Sequence, residues 1–331
     1  MTSDETLFAR VRRSCAAVAE VSTLVRVDPD AIDEYARHIP VADAKAAAAA
    51  DRATETRDAV DPADVVAHVL AGAAVNFTSG WHDIMRKRPD MSGAVSTVAR
   101  LDGYIAATGP LTPERLRCIT ATDASQIFEQ ELDGGALEEL VGLLATTLNE
   151  LGELAANHGG FIPLVEQAER QASRLATTLG RMPSWNDVAE YRSSNSAAIT
   201  VSFYKRAQMA IASLHRTFDG EGLGRFDDLD QLTIFADNLV PHVLRLDGVL
   251  VYDPALLATI NAGELLSPGS AAEIEIRACG VHAAELIAGR LRQMPETSTL
   301  RLADLDHWLW SRGGQPRYKA EPRHRCRNRF Y

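Results

Sequence analysis

Apolar residues recur every three or four positions along most of the chain, which is the pattern of amphipathic α-helices. Leucine and valine follow this spacing across residues 136–161, where Gly159 and Gly160 predict a stop. The same period continues through residues 161–180, with Gly180 as a candidate C-terminal cap. This stretch of the pattern predicts successive helices.

Three further segments extend the helical pattern. The N-terminal TLFARVRRSCAAVAEVSTLV has helical spacing, and residues 197–218 can begin extended and continue as a helix. In residues 267–294 a Ser-Pro-Gly turn precedes a long amphipathic run, in which Glu273 and Arg277 are i,i+4 partners on one helix face. That pairing explains Arg277 without a ligand role.

The remaining pattern predicts a mainly α protein with few or no strands. Residues 41–62 are rich in alanine and charge, so they form either an exposed helix or a mobile connection. The glycines of residues 219–228 lack a preceding strand and a following helix, and they predict a loop. No repeat of solenoid length is present. We expect one compact helical domain over 1–331, with an N-terminal lobe at 1–130 and a helical core at 131–331.

Composition is that of a globular protein in a reducing compartment. Hydrophobic residues make up 46% and charged residues 24% of the chain. Cys15, Cys118, Cys279 and Cys326 lie far apart, in no zinc-ligand spacing and no disulfide framework. The N-terminus has no apolar signal core, and no apolar run reaches about 18 residues. The composition predicts a cytoplasmic protein.

Charge is unevenly distributed. Residues 312–331 carry seven Lys/Arg against Glu321 alone, a net +6, so with −11 for the whole chain residues 1–311 carry −17. An acidic body argues against general binding to nucleic acid or to a membrane surface. The basic segment predicts either a local anion site, such as one for phosphate, or a solvated tail.

Widely shared catalytic motifs are absent from the sequence. It contains no G-x-x-x-x-G-K-[ST] phosphate loop, no G-x-S-x-G nucleophile elbow and no H-E-x-x-H zinc motif. Chemistry based on nicotinamide cofactors, ATP phosphate loops or zinc proteases is therefore disfavoured.

One carboxylate lies in a segment suited to burial. Asp237 occurs within FADNLVPHVL, residues 235–244, where most neighbours are apolar. A buried carboxylate without partners is costly. Asp237 is therefore either satisfied structurally, as a helix N-cap or a salt-bridged core acid, or retained for chemistry.

Four segments together resemble the queuosine salvage family, the queuosine 5′-phosphate N-glycosylases. The resemblance is clear from about Trp185 to Tyr331 and weaker in AVNFTSGW (74–81) and LTPERLRCITATDASQIF (111–128). Each motif alone has low specificity, but all four occur in register. The segments are VSFYKRAQ (201–208), LTIFADNLVPHVL (232–244), GELLSPGSAAEIEIRAC (263–279), and DHWLW followed by PRHR and FY (306–331).

The resemblance implies a fold and a reaction. Family members are helical and similar in fold to DNA glycosylases, but they act on a mononucleotide. The implied reaction is hydrolysis of the N-glycosidic bond of queuosine 5′-phosphate, which releases queuine, a 7-deazaguanine base, for salvage into tRNA modification. It implies no metal and no cofactor, and we expect a monomer without stable nucleic-acid or membrane binding.

The resemblance makes Asp237 the nucleophile or transition-state stabiliser. Breaking a ribosyl C1′–N bond develops positive charge on the sugar, which a carboxylate stabilises. Covalent attack, as in a retaining glycosidase, is the alternative. A 7-deazapurine has no N7 to protonate, so more of the barrier falls to cation stabilisation and to hydrogen bonds around the base.

Further site residues follow from the same motifs. Phe235 matches a base-contacting phenylalanine, and Asp306 matches a substrate-binding aspartate whose carboxylate can accept hydrogen bonds from a guanine-like edge. His307 stands where other members often have Tyr, and Ser311 where some have Asp; these departures affect recognition of queuine's cyclopentenediol arm. His38 is the candidate for the N-terminal histidine of the family's site.

The phosphate-binding residues are a hypothesis from charge and placement, because a phosphate needs cations or backbone donors. The candidates are Lys205 and Arg206 of YKRAQ, and His324 and Arg325 of PRHR. Trp308 and Trp310 are interpreted as packing residues.

Two other functions remain open at this point. A glycosylase acting on nucleic acid would need an extended basic face, against the charge of −17. A non-catalytic protein that binds a deazapurine or nucleoside would keep Phe235 and Asp306 without needing an acid at Asp237.

Overall fold

Helices dominate the computed structural model, which describes residues 5–50, 61–193, 197–294 and 300–331, without the side chains of residues 46–50. The prediction of a mainly α fold is confirmed, since the described strands are short. The helices are α1 (Leu7–Val21), α2 (Pro29–His38), α3 (Val41–Ala50), α4 (Pro62–Ala74), α5 (Gly93–Thr108), α6 (Pro113–Arg117), α7 (Ala121–Phe128), α8 (Ala136–Asn157), α9 (Phe161–Glu166), α10 (Ala172–Leu179), α11 (Lys205–Thr217), α12 (Val240–Leu246), α13 (Pro254–Asn261), α14 (Ala271–Arg292), α15 (Leu302–Gly313) and α16 (Pro316–Lys319). The strands are β1 (Val25–Val27), β2 (Val188–Tyr191), β3 (Ile199–Ser202) and β4 (Leu250–Tyr252).

Most predicted segments fold as their pattern indicates. The helix predicted from residue 136 is α8, and it ends before Gly159 and Gly160, whose φ angles of 83° and 123° suit glycine and stop the helix. Residues 197–218 form β3 followed by α11, as predicted. The prediction of a loop at residues 219–228 is confirmed, apart from one 3-10 turn at Gly222–Gly224.

The helical period predicted over residues 161–180 is present but interrupted. The segment forms α9 and α10, separated by Glu169 and Arg170 at φ angles of 50° and 60°. A helix cannot continue through left-handed residues. The break is held by a tertiary contact, because the Asp227 backbone N–H donates to the Arg170 carbonyl at 2.8 Å.

The alanine-rich segment is helical at its start. Residues 41–50 form α3, which packs against α15. The rest of the prediction for residues 41–62 falls mainly on residues 51–60, which lie outside the described residues.

The chain divides into two compact units of interleaved segments. Unit 1 comprises the described residues within Met1–Glu55, Asp187–Lys205 and Asp228–Cys326. Unit 2 comprises those within Thr56–Asn186, Arg206–Asp227 and Arg327–Tyr331. The expectation of one domain with lobes at 1–130 and 131–331 stays a prediction.

Unit 1 is organised around α14. This helix packs against α1, α2 and β1, and apolar side chains such as Ile274, Ile276 and Ile287 are fully buried. Residues on most of its circumference are buried, whereas an amphipathic helix is buried on one face only. The predicted helix is present, but it is more deeply buried than the prediction of an amphipathic helix implies. Two antiparallel ribbons, β1 with β4 and β2 with β3, flank it.

Unit 2 is organised around α8. Leu140, Leu144, Leu148 and Leu151 are buried along one face of this helix, which packs against α4, α6 and α7. The spacing of three and four residues between these leucines is the pattern read from the sequence.

Candidate active site

The segment between the 3-10 turn at Leu229–Gln231 and α12 has no regular secondary structure. We call residues 232–239 the FADN loop, after its central residues 235–238. A buried loop must satisfy its backbone polar groups through side chains or water. Side chains from other elements bind the backbone of Phe235 and Ala236, and the side chains of Asp237 and Asn238 bind backbone groups of other residues.

The backbone of Phe235 is held by α15. Its N–H donates to Asp306 Oδ1 at 2.7 Å. Both residues are buried, with exposures of 8% for Phe235 and 5% for Asp306. The structure thus brings together two predicted site residues that are 71 positions apart in sequence.

The backbone of Ala236 is held by α14. Its carbonyl accepts a hydrogen bond from Arg277 Nε at 3.1 Å. The Arg277 guanidinium also binds both carboxylate oxygens of Asp187, at 3.0 and 2.5 Å, and Glu273 at 3.2 Å, and it lies 3.8 Å from the centre of the Phe203 ring. The predicted Glu273–Arg277 pair is confirmed, but it is one part of a buried network that reaches the FADN loop.

The two carboxylate oxygens of Asp237 differ in their surroundings. Oδ1 accepts hydrogen bonds from the backbone N–H groups of Leu239 at 2.7 Å and Val240 at 3.2 Å, which caps the start of α12. Among the described residues, Oδ2 has no hydrogen-bond partner, and the side chain is partly exposed. One oxygen therefore fixes the orientation of the side chain and leaves the other available.

Asn238 links the FADN loop to the C-terminal segment. Its Nδ2 donates to the backbone carbonyl of His324 at 3.3 Å. Burial, reinforced by the positive charges of Arg277, Arg323 and others, lowers the pKa of His324 to about 3. His324 is therefore neutral at pH 7 and brings no positive charge to a phosphate.

Arg206 has a packing role in unit 2. It is buried, and its guanidinium lies 5.0 Å from the centre of the Phe77 ring and 5.2 Å from that of Trp185. It also donates hydrogen bonds to the backbone carbonyls of Ala74 and Ser184. These contacts use the two terminal nitrogens of the guanidinium, Nη1 and Nη2, and nothing in them supports the predicted phosphate role.

Lys205 and Arg325 are the other two cations predicted to bind phosphate, and the local backbone structure determines their positions. Lys205 is buried at the first position of α11, directly after Tyr204, whose φ of 51° is a strained value for a bulky residue. Arg325 Nη2 donates to the Gly263 carbonyl, and the Arg325 carbonyl accepts from Leu266 N–H at 2.8 Å. Their phosphate roles stay predictions.

The remaining predicted residues lie on α15 and α2. His307 is half-buried, and Ser311 is exposed with its hydroxyl donating to the Trp308 carbonyl at 2.8 Å. His38 is exposed at the end of α2. Trp310 is 44% exposed and its ring centre lies 6.2 Å from that of His307, and its interpretation as a packing residue stays a prediction.

An open cavity of about 580 Å³ lies against α2 and α15. Tyr35, His38, Trp308 and Arg312 are among the lining residues, whereas the FADN loop, Asp306, His307 and Ser311 do not contribute. Arg312 pairs with Asp247 at 2.8 Å and lies 4.6 Å from the Trp308 ring centre. The structure therefore places His38 on the wall of this cavity, and its role in substrate binding stays a prediction.

The described residues contain neither a candidate metal cluster nor a helix suited to spanning a membrane. They contain no cluster of three His, Cys, Asp or Glu side chains that could hold a metal ion, and the expectation of a metal-free site stays a prediction. None of their helices has both the length and the apolar character needed to span a lipid bilayer.

Comparison with known proteins assigns the family. The family described as queuosine salvage protein matches residues 59–331. This chain belongs to the queuosine salvage protein family. The resemblance inferred from the four motifs is confirmed.

Curated members of the queuosine salvage family include similar chains named queuosine 5′-phosphate N-glycosylase/hydrolase. The protein from Sphaerobacter thermophilus is 36% identical over 276 residues, 80% of each chain. Those from Nematostella vectensis and Mus musculus are 32% and 34% identical, over 75% and 56% of each chain.

Sequence reasoning missed three residues around the FADN loop. Asp187 is 90 positions from Arg277, and no spacing rule joins them. Asn238 directly follows Asp237, and its polar side chain beside the motif was the available signal. Arg323 lies within the PRHR motif, but its positive charge did not distinguish it from Arg325 in the same motif.

Proposed function

We propose that this protein hydrolyses the N-glycosidic bond of queuosine 5′-phosphate and releases queuine and ribose 5-phosphate. Membership of the queuosine salvage family and the name shared by its curated relatives support the reaction. The observation that carries the proposal is the Asp237 carboxylate, which has one oxygen fixed and the other without a hydrogen-bond partner among the described residues.

Asp237 acts on the sugar in this proposal. As the C1′–N bond breaks, the bonding electron pair leaves with the base, which takes up a proton, and the water hydroxyl ends on C1′. The ribosyl group becomes positively charged, and Oδ2 of Asp237 stabilises that charge. A covalent step would use the same oxygen as a nucleophile.

The base lies against Phe235 and Asp306 in this proposal. An aromatic face stacks on a flat heterocycle with a gain of about 1–3 kcal/mol per base. Asp306 already accepts a hydrogen bond from Phe235 N–H, and a carboxylate accepts several more. His307, Ser311 and His38 are proposed as further contacts to the base and its cyclopentenediol arm.

We further propose that the protein acts as a cytoplasmic monomer on the free nucleotide. The net charge of −17 over residues 1–311 disfavours a polyanionic nucleic acid as substrate.

Asp237→Asn tests the catalytic role. Asparagine keeps an oxygen that can accept from Leu239 and Val240, so the cap on α12 survives while the charge is lost. We expect base release from queuosine 5′-phosphate to fall by about 10³-fold, by analogy with the loss of one charge-stabilising group at an active site, with queuine binding retained. Liquid chromatography of released base and calorimetric titration with queuine measure both quantities.

Asp237→Ala is the matched variant. It removes the cap as well, and it should lower the free energy of unfolding by about 1 kcal/mol relative to Asp237→Asn. Full turnover in Asp237→Asn would exclude the proposed role of the carboxylate. Queuine binding without base release by the wild-type protein would instead favour a binding protein.

A further inference from the structure

Arg323 differs from the other cations near the FADN loop. Arg206 and Arg325 donate to backbone carbonyls, and His324 is neutral at pH 7. For Arg323 no hydrogen bond or ion pair to another described residue is found, although the side chain is partly buried. A partly buried guanidinium without a fixed partner is costly, and an anion would offset that cost.

The backbone next to Arg323 is linked to the residue next to Asp237. The adjacent residue His324 accepts the hydrogen bond from Asn238, which directly follows Asp237. The charge of Asp237 also acts on Arg323, because it opposes the effect of burial on the Arg323 pKa. The two charged groups are thus neighbours in unit 1 that form no direct ion pair among the described residues.

This arrangement fits the two ends of ribose 5-phosphate. The sugar ring and the C5′ methylene separate C1′, where positive charge develops, from the phosphate, which is an anion. A carboxylate suits the first position and a guanidinium suits the second, since it binds phosphate oxygens with two parallel N–H groups.

We infer that Arg323 binds the 5′-phosphate of the substrate and thereby sets the preference for a nucleotide over a nucleoside. The inference rests on the proposed function and specifies its phosphate contact. The principal phosphate ligand is then Arg323, and not Arg206 or Arg325, which the sequence analysis had proposed. Arg323 also offsets repulsion between the phosphate and the Asp237 carboxylate, which would otherwise disfavour binding.

Arg323→Gln tests this role, with Arg329→Gln as a control that removes one charge from an exposed position of the same basic segment. We expect kcat/KM for queuosine 5′-phosphate to fall by about 10- to 100-fold in Arg323→Gln, the range for loss of a charged hydrogen bond. The value for queuosine should change less than about twofold. Arg323→Lys should restore part of the preference, and Arg329→Gln should behave as wild type.

Two results would overturn the inference. An equal loss for nucleotide and nucleoside would make Arg323 a charge partner of Asp237 or a structural residue. An unchanged preference in Arg323→Gln, with a loss in Arg325→Gln, would assign the phosphate to Arg325.

A binding measurement separates this inference from the proposed reaction. Calorimetric titration with ribose 5-phosphate, and with ribose as its uncharged counterpart, needs no turnover. Binding of ribose 5-phosphate to wild type but not to Arg323→Gln supports the phosphate site even if no base is released. Equal binding to both proteins, or binding to neither, contradicts the site whatever the reaction. Retained queuine binding in Arg323→Gln shows that the variant is folded.

Discussion

Around Asp237, hydrogen bonds from single side chains hold the backbone in place, as the hydrogen bonds of helices and sheets do elsewhere. Asp306 binds the backbone of Phe235, Arg277 binds that of Ala236, and Asp237 binds its own helix start. Each contact restricts the conformation of a loop that has no regular secondary structure of its own. A carboxylate held in this way is already oriented before substrate binds, which reduces the reorganisation needed during reaction.

The Arg277 network gives a prediction at this scale. Arg277→Lys loses the planar guanidinium that binds Asp187 and Ala236 together, and Asp187→Asn removes the opposing charge. We expect each to lower the free energy of unfolding by about 3–5 kcal/mol, as for broken buried ion pairs. We also expect kcat to fall at least about tenfold with little change in KM, because Asp237 is misplaced while the base contacts persist.

Arg290→Lys is the control for this prediction. Arg290 lies on the same helix and pairs with Asp33 at 2.5 Å, but both side chains are about half exposed. We expect a change of at most about 1 kcal/mol, since surface pairs contribute little. Urea unfolding and steady-state kinetics measure all three variants. If Arg277→Lys and Asp187→Asn are destabilised with unchanged kcat, the network is structural only.

At the scale of elements, α12 and α14 approach each other closely. A Cβ added at Gly280 of α14 would lie 2.9 Å from Cγ of Pro241 in α12. Pro241 is in the first turn of the helix that Asp237 caps. The absence of a side chain at Gly280 therefore helps to set where α12 begins, and with it where Asp237 lies.

Two glycine substitutions on α14 should have opposite effects. Gly280→Ala adds a methyl group against the rigid Pro241 ring, and we expect a loss of about 1–3 kcal/mol in the free energy of unfolding. Gly289→Ala meets no atom within 4 Å, so we expect a gain of about 0.4–1 kcal/mol from reduced freedom of the unfolded chain. Thermal and urea unfolding measure both. A gain in stability in both variants would contradict the role of the Gly280–Pro241 contact in setting the position of α12.

At the scale of the whole molecule, stability depends on groups that are buried without charge. Burial lowers the pKa of His324 to about 3 and that of His242 to about 4. His242 Nε2 donates to the Tyr318 carbonyl at 2.9 Å, in keeping with a neutral ring. In the unfolded chain these histidines titrate near pH 6.5.

The pH dependence of unfolding follows from these two pKa values. Between about pH 6.5 and pH 4 these histidines bind more protons in the unfolded chain than in the folded protein. Their contribution to the free energy of unfolding is therefore fully present above about pH 6.5 and decreases as the pH falls. Each histidine should account for a loss of about 2 kcal/mol between pH 7 and pH 5. His242→Gln keeps an N–H that can reach Tyr318, and it should remove about half of this loss in urea unfolding. An identical loss in wild type and variant would rule out titration of His242 as a cause.

Local relationships were predictable from the sequence. The α8 and α14 helices, the glycine stop after α8 and the Glu273–Arg277 pair depend on residues a few positions apart, and each is confirmed. The α9–α10 break was not predictable, because a hydrogen bond from Asp227 supports it. The motifs were sufficient to assign the family, and the structure joins two of their residues, Phe235 and Asp306, through a hydrogen bond.

By itself, the sequence determined the mainly helical class, the family and the position of the Asp237 carboxylate in the chain. These depend on residue type, periodicity and motif order, which any linear chain displays. Only the tertiary structure decided what each charged side chain contacts. Arg206 and Arg325 donate hydrogen bonds to backbone carbonyls, whereas Arg323 lies within the electrostatic influence of Asp237. Charge is a property of the residue, but its partners depend on burial and on contacts between residues far apart in the chain.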